Sequence, residues 1–488
     1  MLDQIKKLEI ESRKLEPSPL QRNAWNARVQ HYADDFLDGI YDKKTYDTSD
    51  DYGAPLLHLQ ITDEPKALEV LLPLLQANVD GVGLNPASGG HFGYVPGGGV
   101  FPAALGDYLA AVSNRYAGIF FGSPGAVRLE NQLIRWMCDL IGYPEGSLGN
   151  LASGGSIANL IAITTARDFK KIQSKDVENA VIYLTHQVHH CVQKALRIAG
   201  LREAQIHYVP MDAHFRMDAN ALEKMVETDL QNGLKPFLVV ASAGTTDTGA
   251  IDPLNEIADI AEKYQLWFHV DAAYGGFFLL VDDLKHKFKG IERSDSLAID
   301  PHKGLFLPYG IGAILVKNVE ATFQSHHYVA NYMQDALKLA DELSPADLSP
   351  ELTKHFRGLR MWIPLHLLGL KPFKAALEEK IWLCRYFYEK VQELGFEVGP
   401  YPDLSIMIYR YVIEDNDANN FNEKLVEYVQ LDGRVFLSST MIEGVFWIRL
   451  AVLCFRSHLR EVDLCLEILK DGITHLQKQI HMNKTPAT

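Results

Sequence analysis

Residues 269–312 read HVDAAYGGFFLLVDDLKHKFKGIERSDSLAIDPHKGLFLPYGIG and contain the pattern on which the fold depends. An apolar run at 266–270 ends at Asp271, and a second apolar run at 296–299 leads into DPHKG, which contains Lys303. Both runs have the length and composition of buried β-strands. In an open parallel sheet, ligands bind beyond the carboxyl ends of the strands, so Asp271 and Lys303 could reach one ligand between them.

The same alternation of strands and helices extends on both sides of this segment. Further strands are predicted at 180–184, 206–209, 236–243 and 312–316. Apolar residues at helical spacing lie between the early strands, at 188–199, 220–230 and 253–264. This alternation predicts an α/β fold in which a mostly parallel sheet carries helices on both faces.

Three parts are predicted along the chain. Residues 1–80 form helices and connectors that are too few to build a core alone, so we expect them to pack on another part of the chain or on a second subunit. Residues 81–350 form the large ligand-binding domain, and residues 351–488 form a smaller α+β domain. The predicted helices and strands of the smaller domain lie at 352–394, 404–411, 445–453 and 460–477.

Composition and charge restrict the class of protein. With 488 residues, of which 47% are hydrophobic and 22% charged, the chain is expected to form a globular protein with more than one domain. Its net charge of −15 argues against nucleic acid or an anionic membrane as the main partner. The five cysteines are scattered without a CxxC pair, which argues against a disulfide framework or a zinc site. The N-terminal segment is charged and no apolar run approaches the ~18 residues of a membrane span, so we expect no signal peptide and a cytoplasmic location.

Asp271 and Lys303 each have an ordinary explanation, because an aspartate after a strand is often a turn residue and most lysines are solvated. Their surroundings favour chemistry instead. The small residues Ala272, Ala273, Gly275 and Gly276 would let a flat ring approach the backbone, and Lys303 lies in a region that is otherwise poor in charge. A buried lysine amine becomes a nucleophile. Pyridoxal 5'-phosphate needs both groups, a lysine for its aldehyde and a carboxylate for its ring nitrogen.

The segment GNLASGGSIAN at 149–159 is a candidate phosphate site. It leads into a predicted helix at 157–167, and the N–H groups at a helix start bind anions. The alternative is an ordinary glycine loop with Ser156 as the N-cap. The segment matches neither GxGxxG nor GxxxxGK[ST], so dinucleotide and P-loop interpretations are weak.

Three histidines in THQVHH, His186, His189 and His190, have the spacing of one helix face. They could hold a metal, but HExxH is not matched and no carboxylate lies nearby in the sequence. Stacking of one histidine on the cofactor ring is the better interpretation, and no metal is expected.

Together, HVDAAYGG, DPHKG, SGGS, THQVHH and FRGLRMW resemble the group II pyridoxal-phosphate-dependent amino-acid decarboxylases, the family that contains aromatic-L-amino-acid decarboxylase. The resemblance extends from about residue 51 to the last helix. It implies a fold-type-I pyridoxal-phosphate-dependent transferase fold, a homodimer with its active site at the interface, and a carboxy-lyase that converts an L-amino acid to an amine and carbon dioxide.

The resemblance also assigns roles to matching residues. Lys303 would bind the cofactor aldehyde, Asp271 would pair with the ring nitrogen and His189 would stack on the ring. Other residues expected around the cofactor are Gly155 and Ser156 at the phosphate, Thr246 near the cofactor and His302 beside the lysine. Two residues are expected to act on the substrate, Tyr332 as the group that protonates Cα and Arg449 as a support for the substrate carboxylate.

Three positions depart from the family pattern. Asp300 replaces a frequent asparagine, Gly304 replaces a bulky aromatic residue, and Pro86 replaces a tryptophan of aromatic-selective relatives. Asp300 is still expected at the cofactor site, where a carboxylate beside a phosphate is repulsive unless it points away or is hydrogen-bonded.

The glycine- and proline-rich loop at 84–102 bears on the substrate. It could be a flexible linker, but its aromatic residues favour a ligand-lining loop. The residues predicted to contact substrate there are Phe92, Tyr94, Pro96 and Phe101. Because the loop contains no lysine or arginine, we expect an aromatic or bulky apolar amino acid rather than glutamate or aspartate.

Several alternatives remain open from the sequence. The chain could be another carbon–carbon lyase with the same cofactor, an aldehyde synthase, or a decarboxylase of glutamate or aspartate. It could also be a catalytically silent relative that only binds cofactor or partners. The presence of Tyr332, Lys303 and Asp271 together favours decarboxylation.

Overall fold

The computed structural model describes residues 1–49, 52–328, 342–413 and 417–484. The first part of the chain is largely helical. Its elements are α1 (Leu2–Ser12), α2 (Pro19–Asp38), β1 (Tyr46–Asp47), α3 (Leu68–Leu75) and β2 (Gly83–Leu84). No residue of α1 or α2 is buried, so these helices form no core of their own in the single chain.

A seven-stranded sheet forms the centre of the next part. Its strands are β3 (Leu148–Ala152), β4 (Ala180–Leu184), β5 (Gln205–Tyr208), β6 (Lys235–Ser242), β7 (Trp267–Asp271), β8 (Ser296–Ile299) and β9 (Gly312–Val316). The order is β3-β9-β8-β7-β6-β4-β5, and the five strands from β8 to β5 are parallel. β9 runs antiparallel to both β8 and β3. The prediction of a mostly parallel sheet is therefore confirmed.

Helices pack around this sheet. They are α4 (Phe101–Ser113), α5 (Pro124–Ile141), α6 (Gly155–Phe169), α7 (His190–Ile198), α8 (Ala219–Gln231), α9 (Leu254–Tyr264), α10 (Pro301–Gly304) and α11 (Val319–His326). Within the described ranges, no helix combines the length and apolar character needed to cross a membrane.

β3 is not apparent from the sequence, where its residues read as part of a glycine loop. The strand contains Gly149 and Asn150, residue types with low strand propensity. Tertiary contacts override that propensity, because a Cβ atom on Gly149 would lie 1.8 Å from the Ile314 carbonyl oxygen of β9. A buried ion pair also holds β3, since Lys354 Nζ lies 2.7 Å from Glu130 Oε1 and donates to the backbone oxygen of β3 residue Leu151 at 2.8 Å.

The remainder of the chain forms a second sheet, the C-terminal sheet, together with several helices. Its elements are α12 (Gly358–Leu368), α13 (Lys371–Glu393), β10 (Phe396–Val398), β11 (Ile406–Tyr411), α14 (Ala418–Asp432), β12 (Ser438–Ile442), β13 (Val445–Ala451) and α15 (Leu459–Lys484). The sheet order is β10-β11-β13-β12 and all pairings are antiparallel. The single helical stretch predicted at 352–394 is two helices, because Gly369 ends α12 with a φ of +68°. α12 packs on α4 and α5 rather than on this sheet.

The loop that precedes α4 joins the two sheets. Phe92 donates its N–H to the Phe436 carbonyl at 2.9 Å and accepts from the Ala451 N–H at 2.8 Å. Its side chain is fully buried in the core of the C-terminal sheet. His91 stacks on Phe436 with 5.7 Å between ring centroids, and neither of its ring nitrogens has a hydrogen-bond partner among the described residues. The loop is therefore a packed structural connection and not a flexible linker.

His91 should make this connection sensitive to acid. Burial lowers its pKa to about 3, while an exposed histidine titrates near 6.5. Between these values the unfolded chain binds the proton more strongly, so the stability due to neutral His91 is complete above pH 6.5 and is lost as the pH falls toward 3. Between pH 7 and pH 5, we expect the unfolding free energy of wild type to fall by about 2 kcal/mol more than that of His91→Phe. Denaturant titration at the two pH values measures this difference. The exposed His214→Phe is the control, and equal losses in wild type and His91→Phe would contradict the prediction.

Candidate functional site

A cavity of about 420 Å³ lies beyond the carboxyl ends of β6, β7 and β8, beside the start of α6. Parallel pairing brings these strand ends together, because Asp271 of β7 is in register with Ser242 of β6 and Ala298 of β8. The residues predicted from the sequence that line this cavity are Gly155, Ser156, His189, Thr246, Asp271, Asp300, His302 and Lys303. The predicted strand ends thus meet around one space.

Asp271 is held at the end of β7 by two hydrogen bonds. Its Oδ1 accepts the Ala273 N–H at 3.0 Å, and its Oδ2 accepts from Asn159 Nδ2 at 3.3 Å. The residue is 8% exposed, so the carboxylate faces the cavity from a largely buried position. Sequence reasoning missed Asn159, although it lies four residues after Gly155 and therefore on the same face of α6.

Lys303 lies on the single helical turn α10, directly after β8. Its Nζ is 3.3 Å from Asp300 Oδ2. Asp300 is 2% exposed, and its second oxygen, Oδ1, has no hydrogen-bond partner among the described residues. His302 donates from Nδ1 to the Ile311 carbonyl at 2.6 Å, which leaves Nε2 facing Asp300 Oδ2 at 3.8 Å. The lysine amine is thus paired with the carboxylate that departs from the family pattern.

The other departure beside the lysine has a steric explanation. A Cβ atom on Gly304 would lie 2.7 Å from Cβ of Phe277, which is fully buried. Phe277 therefore fills the space into which a larger residue at position 304 would extend.

The predicted phosphate site lies at the start of α6. The first N–H groups of a helix have no intrahelical acceptor and lie at the positive end of the dipole. Close packing requires small residues here, because a Cβ atom on Gly155 would lie 2.9 Å from Asp300 Oδ2. A Cβ atom on Gly312 would likewise lie 2.6 Å from Cα of Gly154. The turn can thus present backbone N–H groups to an anion at close range.

His189 is the N-cap residue of α7, and its Nδ1 accepts the Cys191 N–H at 3.3 Å. Burial lowers the pKa of His189, although the nearby Asp271 acts in the opposite direction, so the ring is neutral with its proton on Nε2. Cys191 also lines the cavity, and burial raises its pKa to about 12, which keeps the thiol protonated.

The three histidines do not share one helix face. His186 precedes α7, is exposed, and stacks on Tyr208 with 4.0 Å between ring centroids. Among the residues that the structure describes, no group of three or more His, Cys, Asp or Glu side chains could hold a metal ion.

The structure does not bring the four predicted loop residues to the cavity of their own chain. Phe92 is buried in the C-terminal core because its backbone completes the hydrogen bonding there, and Pro96 is also buried. Tyr94 and Phe101 are 58% and 47% exposed, and neither lines the cavity. Tyr332 lies outside the described residues.

Arg449 of β13 is a bridge between the two sheets. It is 3% exposed, and its guanidinium donates to Ser438 Oγ at 2.7 Å, to the Asp247 carbonyl at 3.1 Å and to the Thr246 carbonyl. Arg449 does not itself line the cavity, but it fixes the loop through which Thr246 reaches it.

The residues that line the cavity fit pyridoxal 5'-phosphate. A lysine amine, a nearly buried carboxylate and a neutral histidine ring are available for the aldehyde, the ring nitrogen and the ring face. The narrow glycine turn at 154–155 leaves room for a phosphate at the helix start. Asp300, which lies beside this turn, opposes an anion, and its pairing with Lys303 reduces that opposition.

Comparison with known proteins supports the same cofactor. Residues 53–412 match the pyridoxal-dependent decarboxylase conserved domain. An aromatic-L-amino-acid decarboxylase of Bacillus atrophaeus is 33% identical over 381 residues, which cover 76% of this chain and 78% of that protein. A phenylacetaldehyde synthase of Petunia hybrida is 26% identical over 490 residues, which cover 94% of this chain and 95% of that protein.

The fold has close counterparts among solved structures. A crystal structure of Oryza sativa TDC with PLP and tryptamine superposes with a TM-score of 0.89 at 22% identity, covering 94% of this chain and 99% of that chain. The conserved-domain match extends over most of the chain, and it coincides with the lysine and carboxylate of the cavity. The protein therefore belongs to the pyridoxal-dependent decarboxylase family, and is a carboxy-lyase with pyridoxal 5'-phosphate as its cofactor.

Proposed function

We propose that the protein decarboxylates an aromatic L-amino acid and releases carbon dioxide and the corresponding amine. The charge of the cavity carries this proposal. Lys303 is the only lysine or arginine among the described residues that line it, and the carboxylates Asp271 and Asp300 face the same space. A substrate with a second carboxylate would find no free cation there. The name of the Bacillus atrophaeus relative agrees with an aromatic substrate.

The residues of the chain would divide the work as follows. When bound, pyridoxal 5'-phosphate accepts the electron pair of the bond that breaks at the substrate Cα. Asp271 would place a fixed negative charge at the ring nitrogen and keep it protonated. His189 would cover one ring face, and the N–H groups at the start of α6 would bind the phosphate. Lys303 would hold the aldehyde carbon until the substrate amine replaces it.

Delivery of the proton to Cα is assigned to Tyr332 on the family resemblance alone. Asp300 would act mainly on Lys303, since its Oδ2 lies 3.3 Å from the amine. Arg449 would support the substrate carboxylate only indirectly, because its donors bind Ser438 and the carbonyls of residues 246 and 247.

We also propose a homodimer in which the second subunit completes the site. Tyr94 and Phe101 have exposed side chains and do not line the cavity of their own chain, which suits residues that line the cavity of the partner. The exposed apolar residues of α1, α2 and α4 suit burial between two copies of the chain. The cytoplasmic location stays a prediction from the sequence.

A panel of amino acids tests the substrate class. We expect carbon dioxide release from tryptophan, tyrosine or phenylalanine to exceed release from glutamate and aspartate by at least about 100-fold in kcat/KM, because an unpaired buried carboxylate costs roughly 3 kcal/mol. Amine, aldehyde and hydrogen peroxide should be measured together. One amine per carbon dioxide supports decarboxylation, whereas aldehyde with peroxide would identify an aldehyde synthase. Preference for an acidic amino acid would refute the proposal.

The role of Asp271 can be tested by substitution. Asp271→Ala should still bind cofactor, more weakly, but should lose about 100-fold or more in kcat, because the charge opposite the ring nitrogen is needed when electrons enter the ring. The matched control is Asp283→Ala, at an exposed aspartate twelve residues later, which should behave as wild type. Near-normal turnover of Asp271→Ala would contradict this role.

Asp300→Asn should bind the cofactor more tightly. The change removes a negative charge beside the phosphate turn and also removes the ion pair that occupies Lys303 Nζ. We expect affinity to rise by about tenfold, measured by titrating cofactor-free protein with pyridoxal 5'-phosphate and following the visible absorbance. Asp283→Asn is the control. Weaker binding in Asp300→Asn would mean that the carboxylate assists the cofactor.

A further inference from the structure

A continuous chain of hydrogen bonds leads from Asp271 away from the cavity into the sheet. Asn159 Nδ2 lies 3.3 Å from Asp271 Oδ2, and Asn159 Oδ1 lies 2.7 Å from His269 Nε2. His269 Nδ1 is 2.9 Å from Ser296 Oγ, which accepts from Trp267 Nε1 at 2.9 Å. Apart from Asp271, every member is at most 1% exposed.

Which atom donates in each of these hydrogen bonds follows from Asn159, the member of the chain next to Asp271. The Asn159 amide nitrogen faces two acceptors, the Gly155 carbonyl at 2.9 Å and the Asp271 carboxylate. A reversed amide would place its oxygen against both of them. Asn159 therefore presents its oxygen to His269, and His269 must carry a proton on Nε2 to donate to it.

The remaining bonds agree with this direction. Burial lowers the pKa of His269 to about 4, so the ring is neutral and, with its proton on Nε2, has an acceptor at Nδ1. Ser296 Oγ accepts a hydrogen bond from Trp267 Nε1, which cannot act as an acceptor. The hydroxyl proton of Ser296 is therefore available to be donated to His269 Nδ1. The Ser296 carbonyl lies 3.2 Å from Nδ1 but receives no proton from this tautomer.

We propose that His269 is a positioning residue for the cofactor ring nitrogen, which acts by fixing the Asn159 amide so that it donates to Asp271. This inference rests on the proposed pairing of Asp271 with that nitrogen. A carboxylate that accepts a fixed hydrogen bond is itself fixed in position. Asn159 held in this orientation donates to Asp271 Oδ2 and so orients the carboxylate toward the ring nitrogen.

Without the donor at His269, the buried Asn159 oxygen has no hydrogen-bond partner among the described residues, and the amide is no longer held in the position from which it donates to Asp271. The 3.3 Å hydrogen bond to the carboxylate is the longer of the two that the amide nitrogen makes to oxygen, so we expect it to be the one that is lost. The Gly155 carbonyl also accepts from Asn159 but keeps its backbone hydrogen bond within α6, and Lys303 pairs with Asp300, so the main effect is expected at the ring nitrogen.

The experiment compares two cofactors on cofactor-free protein, pyridoxal 5'-phosphate and its deaza analogue, in which carbon replaces the ring nitrogen. His269→Leu should weaken binding of pyridoxal 5'-phosphate by about tenfold, the effect of one hydrogen bond, and change binding of the analogue by less than twofold. His269→Gln offers a side-chain N–H to Asn159 and should restore most of the difference. Equal weakening of both ligands in His269→Leu would show a purely structural role and overturn the proposal.

Controls separate this inference from the proposed function. His207 is another histidine of the same sheet, is hydrogen-bonded to Asp229 at 2.8 Å and does not line the cavity. His207→Leu should therefore leave the preference for pyridoxal 5'-phosphate over its deaza analogue unchanged. Ser296→Ala is a smaller change than His269→Leu and removes only the hydrogen bond to His269 Nδ1 and the acceptor of Trp267. It should therefore lose less of the preference than His269→Leu does. The proposal would be refuted if His207→Leu lost the preference for pyridoxal 5'-phosphate over the analogue. It would also be refuted if both Ser296→Ala and His269→Leu kept that preference in full. If wild type itself does not distinguish the two cofactors, the pairing assigned to Asp271 fails instead.

Discussion

The parallel register of β6, β7 and β8 is the constraint on which the site depends. Because Ser242, Asp271 and Ala298 lie side by side, the acid at the end of β7 and the turn that follows β8 open onto the same space. Lys303 reaches that space from one helical turn, where it pairs with Asp300 at 3.3 Å. A shift of one residue in the pairing of β7 and β8 would turn every side chain of the strand to the opposite face and separate the two groups.

Close approach of backbones brings the glycine turn at the start of α6 to the same place. β3 runs beside β9 only because Gly149 has no side chain, and Gly155 and Gly312 leave room for Asp300 between α6 and β9. The buried pair of Lys354 and Glu130 then fixes the edge strand that leads into the turn. Removing one partner of such a pair leaves an uncompensated buried charge, so the position of this glycine turn depends on contacts well behind it.

The C-terminal sheet takes part in the site through its contacts and not through its own chemistry. Arg449 binds the carbonyls of residues 246 and 247, and Phe92 joins the backbone of the C-terminal sheet to the loop before α4. Buried donors and acceptors that are paired between the two sheets fix the two parts relative to each other. The loop around Thr246 is thereby held at the cavity by a residue some 200 positions later.

The sequence by itself determined the strand–helix alternation, the strand ends at Asp271 and Lys303, and the glycine turn at the start of α6, because hydrophobic periodicity and local turn chemistry are properties of neighbouring residues. It could not locate β3, whose glycine and asparagine argue locally against a strand. Nor could it reveal that Phe92 is a core residue or that Arg449 donates hydrogen bonds to backbone carbonyls. The hydrogen bonds that link His269 through Asn159 to Asp271 were equally hidden. Those outcomes were decided only by the tertiary structure, because each depends on hydrogen-bond partners and packing surfaces that are distant in the chain and meet only when the two sheets are formed.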